Sequence, residues 1–329
     1  MQYYGTLGPA CGEVGILREM FRAGMTGVRL NLSHGDLDQN GQWLELLAEA
    51  AKDCHIDKPQ ILIDLRGPEL RLGNVESEFI ICEGDFVFFG SGGLPAPEMF
   101  LDFVEAGDHI LIDDGKLELK AESGRSADGD RITCRVLRGG AVRPGKSVAI
   151  VGKELPMPTL TDSDYKNIRL AARYGVTGVM LPFVRNKRDL LTLREALDKS
   201  GAGHVEIFAK IENMQGVRAL DELIPYCDHV VIARGDLGNA MPLWELPGVQ
   251  KQIAAKCRKA RKPFMVVTQM LDSMQERAVP TRAEVLDIFN AVLDGAASLM
   301  LTGETAVGKY PTEAMKYLVH TGEEGLKYL

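Results

Sequence analysis

Residues 205–238, VEIFAKIENMQGVRALDELIPYCDHVVIARGDLG, decide the fold. Val205–Ile211 is a short apolar run, Gly216–Ile224 carries apolar residues at helical spacing, and His229–Ala233 is a second short apolar run. Strand, helix, strand in that order argues for parallel strands joined by helical crossovers. The same alternation recurs on both sides. Strand-like runs are Tyr3–Leu7, Gly27–Leu32, Gln60–Asp64, Gly178–Phe183, Pro263–Thr268 and Ser298–Leu301. Helix-like stretches are Val14–Ala23, Gly41–Lys52, Asp162–Tyr174, Lys187–Ser200, Leu246–Ala260 and Arg282–Leu293. With the two runs of the opening segment this makes eight strands, the number that closes an α/β barrel.

One spacing breaks the pattern. The third and fourth strands start 118 residues apart, against 24 to 35 elsewhere. The excess marks an inserted domain near Leu72–Glu154. Its HILIDDGKLELK, DRITCRVL and KSVAIV segments read as short strands between Gly and Asp turns. GSGG at Gly90–Gly93 reads as a loop. Removing these 83 residues leaves 246, the size of a single eight-fold barrel. The expected architecture is a (β/α)8 TIM barrel with a β-rich insertion after strand three. Residues 1–71 and 155–329 would form the barrel, and 72–154 a β-barrel-like lid domain.

The chain has 329 residues, 45% apolar and 26% charged, with a net charge of −8. That composition is globular. The negative balance argues against nucleic acid, whose phosphates favour a basic face. No run of 18 apolar residues occurs, so no membrane span is expected. The six cysteines form no CxxC pair and read as reduced thiols of a cytoplasmic protein. No basic leader with an apolar core opens the chain.

In such barrels the active site lies at the C-terminal strand ends. Here those ends are polar. Strand two runs into Arg29, Asn31, Ser33 and His34; strand three into Asp64 and Leu65; strand five into Lys210 and Glu212. Strand six runs into Arg234 and Asp236, strand seven into Thr268, and strand eight into Thr302 and Glu304. Lys210 and Glu212 are two apart and share a face. Glu212 with Asp236 on the next strand would suit Mg2+ or Mn2+, and the lysine could neutralise a migrating phosphoryl group. A plain structural Lys–Glu pair is the competing reading; polar ends on six strands together favour a site.

At these residues the sequence resembles the pyruvate kinase family. The segments that carry the likeness include TLGPAC, GMTGVRLNLSHG, LRGPELR, DDGKLEL, AKIENMQGV, VVIARGDLG, KPFMVVTQMLDSM and LMLTGETAVGKYPTEA. The resemblance implies phosphoryl transfer from phosphoenolpyruvate to ADP, giving pyruvate and ATP. It implies a divalent metal, Mg2+ or Mn2+, on Glu212 and Asp236, with Lys210 stabilising the migrating group and Arg29 contacting it. Gly235, Asp236 and Thr268 would hold the substrate carboxylate, with Thr268 ordering water for the enolate. Asn31, Ser33, Asp64 and the Leu65 carbonyl would hold K+. Arg71 would meet nucleotide phosphates, and Asp114 and Lys146 would act from the lid.

The sequence departs from the family pattern at four places. Leu65 replaces a threonine, Pro182 precedes Phe183 where a serine is usual, Gln39 replaces an aromatic residue, and Ala240 replaces a carboxylate. Nucleotide choice stays open. Two other readings remain: a divergent paralogue acting on another enol phosphate or 2-oxo acid by lyase or aldolase chemistry, and a catalytically inactive binding relic. Family members usually continue past the eighth βα unit into an effector domain. The expectation is a member without that domain and without sugar-phosphate activation through it, with a homo-oligomer left open.

Overall fold

The computed structural model describes residues 1–73, 78–113, 115–125, 131–153 and 155–329. The chain forms two compact units, Met1–Gly67 with Thr159–Leu329, and Pro68–Pro158.

The first unit is a closed barrel of eight parallel strands, Gln2–Thr6, Gly27–Asn31, Gln60–Asp64, Gly178–Leu181, Glu206–Ile211, His229–Ala233, Phe264–Val267 and Ser298–Met300. Each strand pairs with its neighbours in chain order, and the first pairs with the eighth through Gln2↔Ser298. The fourth and seventh strands are buried at every residue. They read as continuous apolar runs because helices cover one face and the barrel interior the other.

That interior is a separate core of Tyr4, Leu62, Met180, Phe208, Val231, Ala233, Met265, Val267 and Met300. The outward strand residues pack with the helices into a larger core. Alternation along a strand then positions the site. Phe208 fills the interior, so Lys210 and Glu212 follow in the same phase toward the C-terminal end. Leu62 does the same for Asp64.

Two strands must approach closely at Gly178. A Cβ there would lie 2.6 Å from both Leu62 Cδ2 and Phe208 Cε2. The glycine is the space into which these two side chains pack.

The strand and helix boundaries follow the sequence reading to within a few residues, and the exceptions have local causes. The fourth strand stops at Leu181 because Pro182 lacks an N–H and Phe183 takes φ 53°. The third helix stops at Leu170 rather than Tyr174, and the chain turns at Gly175 with φ 66°. The helix expected from Gly216 begins at Met214, where the Asn213 side chain caps it by accepting from Gly216 N at 2.8 Å. Short helices at Arg234–Asn239 and Gly303–Ala306, directly after the sixth and eighth strands, had no periodic signal. The helix Pro311–Leu326 completes the eighth unit.

The second unit holds a five-stranded antiparallel sheet in the order Val148–Ile150, His109–Ile112, Leu117–Ala121, Arg131–Arg138, Phe86–Gly90. A two-stranded sheet pairs Phe79–Ile81 with Gly140–Val142. HILIDDGKLELK is a hairpin, turning where Asp113 and Gly115 both have positive φ. The unit has its own apolar core, including Phe89 and Phe100 with ring centroids 5.1 Å apart. All six cysteines are free thiols. Among the described residues no helix is long and apolar enough to cross a membrane.

Gly178→Ala is expected to cost about 1–3 kcal/mol by overpacking the barrel interior. The cost would be read as a lower urea midpoint at unchanged slope; an unaltered midpoint would show that Leu62 and Phe208 relax around a Cβ.

Candidate active site

The site is organised around Asp64, the last residue of the third strand and only 2% exposed. Arg29, from the second strand, donates to Asp64 Oδ2 through Nε at 3.0 Å and Nη2 at 2.6 Å. Lys210, from the fifth strand, donates to both Asp64 oxygens at 3.1 Å. Lys210 Nζ also lies 2.9 Å from Glu212 Oε1. Glu212 is itself buried, and its Oε2 accepts from Phe183 N at 2.8 Å in the turn after the fourth strand. Four strand ends thus meet in one array of alternating charge.

The charges determine one another. Burial pushes the Asp64 carboxyl upward, but Lys210 and Arg29 outweigh it and hold the group below the ordinary carboxylate range. Burial pulls the Lys210 ammonium downward, and Asp64 and Glu212 overcome this, holding it above the ordinary lysine value. Asp236 adds to that upward push from the first turn of the helix Arg234–Asn239. Lys210 is therefore a permanent cation facing the C-terminal end of the barrel.

The sixth and seventh strands supply the other wall. Gly235 lies against Thr268, so that a Cβ at Gly235 would sit 3.2 Å from Thr268 Cγ2. Thr268 and Gln269 leave the seventh strand with φ 75° and 52°. The Arg234 guanidinium braces this turn by donating to Thr268 O at 2.7 Å and to Asp287 Oδ2 at 2.6 Å. In the short helix after the eighth strand, Glu304 is buried and accepts from Leu271 N at 3.0 Å and Thr302 N at 2.7 Å. Its hydrogen-bonding capacity goes into fastening the rim.

The residues read for K+ also converge. Asn31 and Asp64 are register partners on adjacent strands. Asn31 Oδ1 accepts from Ser33 N at 3.1 Å, and Leu65 follows Asp64 with its N donating to Met180 O at 3.1 Å. Arg71 and Lys146 belong to the second unit. There Arg71 pairs with Glu69 at 2.5 Å and bridges to Ser147, while Lys146 pairs with Asp113 at 2.9 Å. Asp114 lies outside the described residues.

Sequence reasoning missed two features. It read Asp64 as an ion ligand, not as the counter-ion of Arg29 and Lys210. The signal was present: residues 29, 64 and 210 all occupy inward positions near strand ends. It also missed the Arg234–Thr268–Asp287 brace, which joins residues far apart in the chain and had no local pattern.

A divalent metal fits the carboxylates present. Among the described residues no group of three or more His, Cys, Asp or Glu side chains could hold a metal ion, which argues against an all-protein cage. Glu212 with Asp236 is instead the sparse set suited to Mg2+, which keeps water and takes its remaining ligands from substrate oxygens. For K+, Asp64 Oδ1 accepts one hydrogen bond and keeps acceptor capacity, whereas Oδ2 accepts three.

Comparison with known proteins gives the family. The family model described as "Pyruvate kinase, barrel domain" matches residues 2–315. The chain is 40% identical to the pyruvate kinase of Geobacillus stearothermophilus over 320 residues, covering 94% of this chain and 54% of that protein. It is 38% identical to the pyruvate kinase of Aeropyrum pernix over 327 residues, covering 98% of this chain and 70% of that protein. The pyruvate kinase of Mycobacterium tuberculosis is 38% identical over 320 residues, with 67% of its length covered. The chain thus spans between about half and two thirds of these relatives. With a barrel-domain match over nearly all its residues and this identity to several relatives, the chain belongs to the pyruvate kinase family.

Proposed function

We propose that the chain transfers the phosphoryl group of phosphoenolpyruvate to ADP, giving pyruvate and ATP. The observation that carries this reading is Lys210, a largely buried ammonium held between Asp64 and Glu212 with Arg29 2.6 Å from the same aspartate. Phosphoryl transfer asks a protein mainly for positioning and charge neutralisation. Two cations fixed by buried carboxylates supply both without reorganising during reaction.

In this reading Arg29 and Lys210 bind the phosphoryl oxygens, and Lys210 gains most as charge develops on them. Gly235, Asp236 and Thr268 bind the substrate carboxylate. When the phosphoryl group departs, its bridging oxygen remains on the enolate, whose methylene carbon then takes a proton. Thr268 orders the water that delivers it, since a threonine hydroxyl is too weak an acid to donate readily. Glu212 and Asp236 hold Mg2+ or Mn2+, which when bound would neutralise phosphate and enolate oxygens. Asn31, Ser33, Asp64 and the Leu65 carbonyl hold K+. Arg71, Lys146 and Asp114 are proposed for the nucleotide and lid side. The reading places the reaction in cytoplasmic glycolysis, a reducing compartment suited to six free thiols.

The loss of two hydroxyls at Leu65 and Pro182 favours a second reading, an enzyme for another enol phosphate or 2-oxo acid. Assaying pyruvate formation from phosphoenolpyruvate with and without ADP separates them. ADP-dependent pyruvate with stoichiometric ATP is expected; turnover indifferent to ADP would favour the second reading.

Lys210→Met is expected to lower kcat by about 10²–10³ with little change in phosphoenolpyruvate binding, as for other lost electrostatic stabilisers. Steady-state kinetics checks this, and a raised KM at constant kcat would make Lys210 a ground-state binder. Glu212→Gln is expected to weaken Mn2+ binding and turnover together, read by electron paramagnetic resonance of free Mn2+. Unchanged Mn2+ affinity would remove Glu212 from the metal site.

A further inference from the structure

Thr268 sits on a turn that a β-branched residue rarely adopts. It and Gln269 both have left-handed backbone conformations, φ 75° and 52°. Such geometry persists only where the surroundings over-determine it, and here two charged side chains, the half-buried Arg234 and the buried Glu304, do so.

From the sixth strand end, Arg234 Nη2 donates to Thr268 O at 2.7 Å, and Nε donates to Thr268 O at 3.2 Å and Val267 O at 3.3 Å. Nη1 is held by Asp287 Oδ2 at 2.6 Å, on the helix Arg282–Leu293. From the eighth unit, Glu304 Oε1 accepts from Leu271 N at 3.0 Å. The segment Thr268–Leu271 is thereby fastened at both ends. The hydrogen bonds of the Arg234 guanidinium go to this turn and to Asp287.

The geometry points to Arg234 as a positioning residue: its guanidinium, anchored by Asp287, holds the left-handed Thr268–Gln269 turn and so keeps the Thr268 hydroxyl beside Gly235, where it orders the water that delivers the proton. The inference rests on the role proposed above for Thr268. Arginine is required because one planar fork bonds two successive carbonyls and a carboxylate at once, which an ammonium cannot reproduce.

The test uses the full chain with pyruvate and Mg2+ in D2O and follows exchange of the pyruvate methyl hydrogens by NMR. This partial reaction needs proton transfer at carbon but no phosphoryl transfer. Arg234→Met is expected to slow exchange about tenfold to a hundredfold, the penalty typical of a misplaced group, with Mn2+ affinity unchanged. Arg234→Lys should recover only part of the rate. The double variant Arg234→Met/Thr268→Ala should be no slower than Thr268→Ala, because both changes remove one function. Multiplying effects, or full exchange in Arg234→Met, would overturn the inference. Should Arg234→Met fail to fold, Asp287→Asn carries the same double-variant comparison. If the wild-type chain makes no pyruvate, the functional reading fails on its own. A crystal structure of the Arg234 variant, or of Asp287→Asn, then decides the brace: a Thr268 φ moved out of the left-handed region upholds it, and a φ still near 75° overturns it.

Discussion

A carboxylate shut away from water stays ionised only if cations replace the lost hydration, and Asp64 meets that demand with Arg29 and Lys210. The requirement spreads outward. Lys210 is itself largely shut off from water, its side chain 12% exposed, so Glu212 shares it. Glu212 then needs a second donor and finds the Phe183 N–H. Removing any one member leaves an uncompensated buried charge, which typically costs about 3–5 kcal/mol. The array is affordable only because the barrel closes. Its members come from different strand ends, and each reaches the interior through the alternation that also packs Leu62 and Phe208 beneath them.

Around this centre the polar rim residues divide into two kinds. Glu304, Arg234 and Asp164 use their charges to hold backbone. Asp164 caps its own helix and also accepts from the Arg66 and Gly67 N–H groups after the third strand. Glu304 and Arg234 do the same for the turn after the seventh strand. These bonds fix the loops at the C-terminal rim of the barrel. Lys210 and Asp64 instead bond side chain to side chain, while Glu212 and Asp64 Oδ1 keep acceptor capacity for an ion. A list of polar strand ends cannot separate the two kinds, because the difference lies in partners.

Much of the barrel was legible in the sequence for a simple reason. A strand covered on both faces must be apolar throughout, and a helix covering it must be apolar on one side. Both periods survive in the order of residues, so Gln60–Asp64, His229–Ala233 and Arg282–Leu293 could be bounded to the residue. The 118-residue gap between the third and fourth strand starts exposed the inserted unit just as directly. Short helices such as Arg234–Asn239 left no periodic signal, because six residues are too few for a period; only the Gly235–Gly238 turn hinted at a short helix there.

The candidate site was legible as chemistry but not as connectivity. The order of residues determined which side chains reach the strand ends, and the parity of Lys210 and Glu212 determined that they share a face. It also carried the family segments. Only the tertiary structure decided that Asp64 is the counter-ion of two cations, that Glu304 is spent on the rim, and that Arg234 braces Thr268. Those pairings join residues 33 to 146 positions apart. Closing the barrel brings such residues within hydrogen-bonding distance, and local sequence holds no record of contacts made across a closed ring of strands.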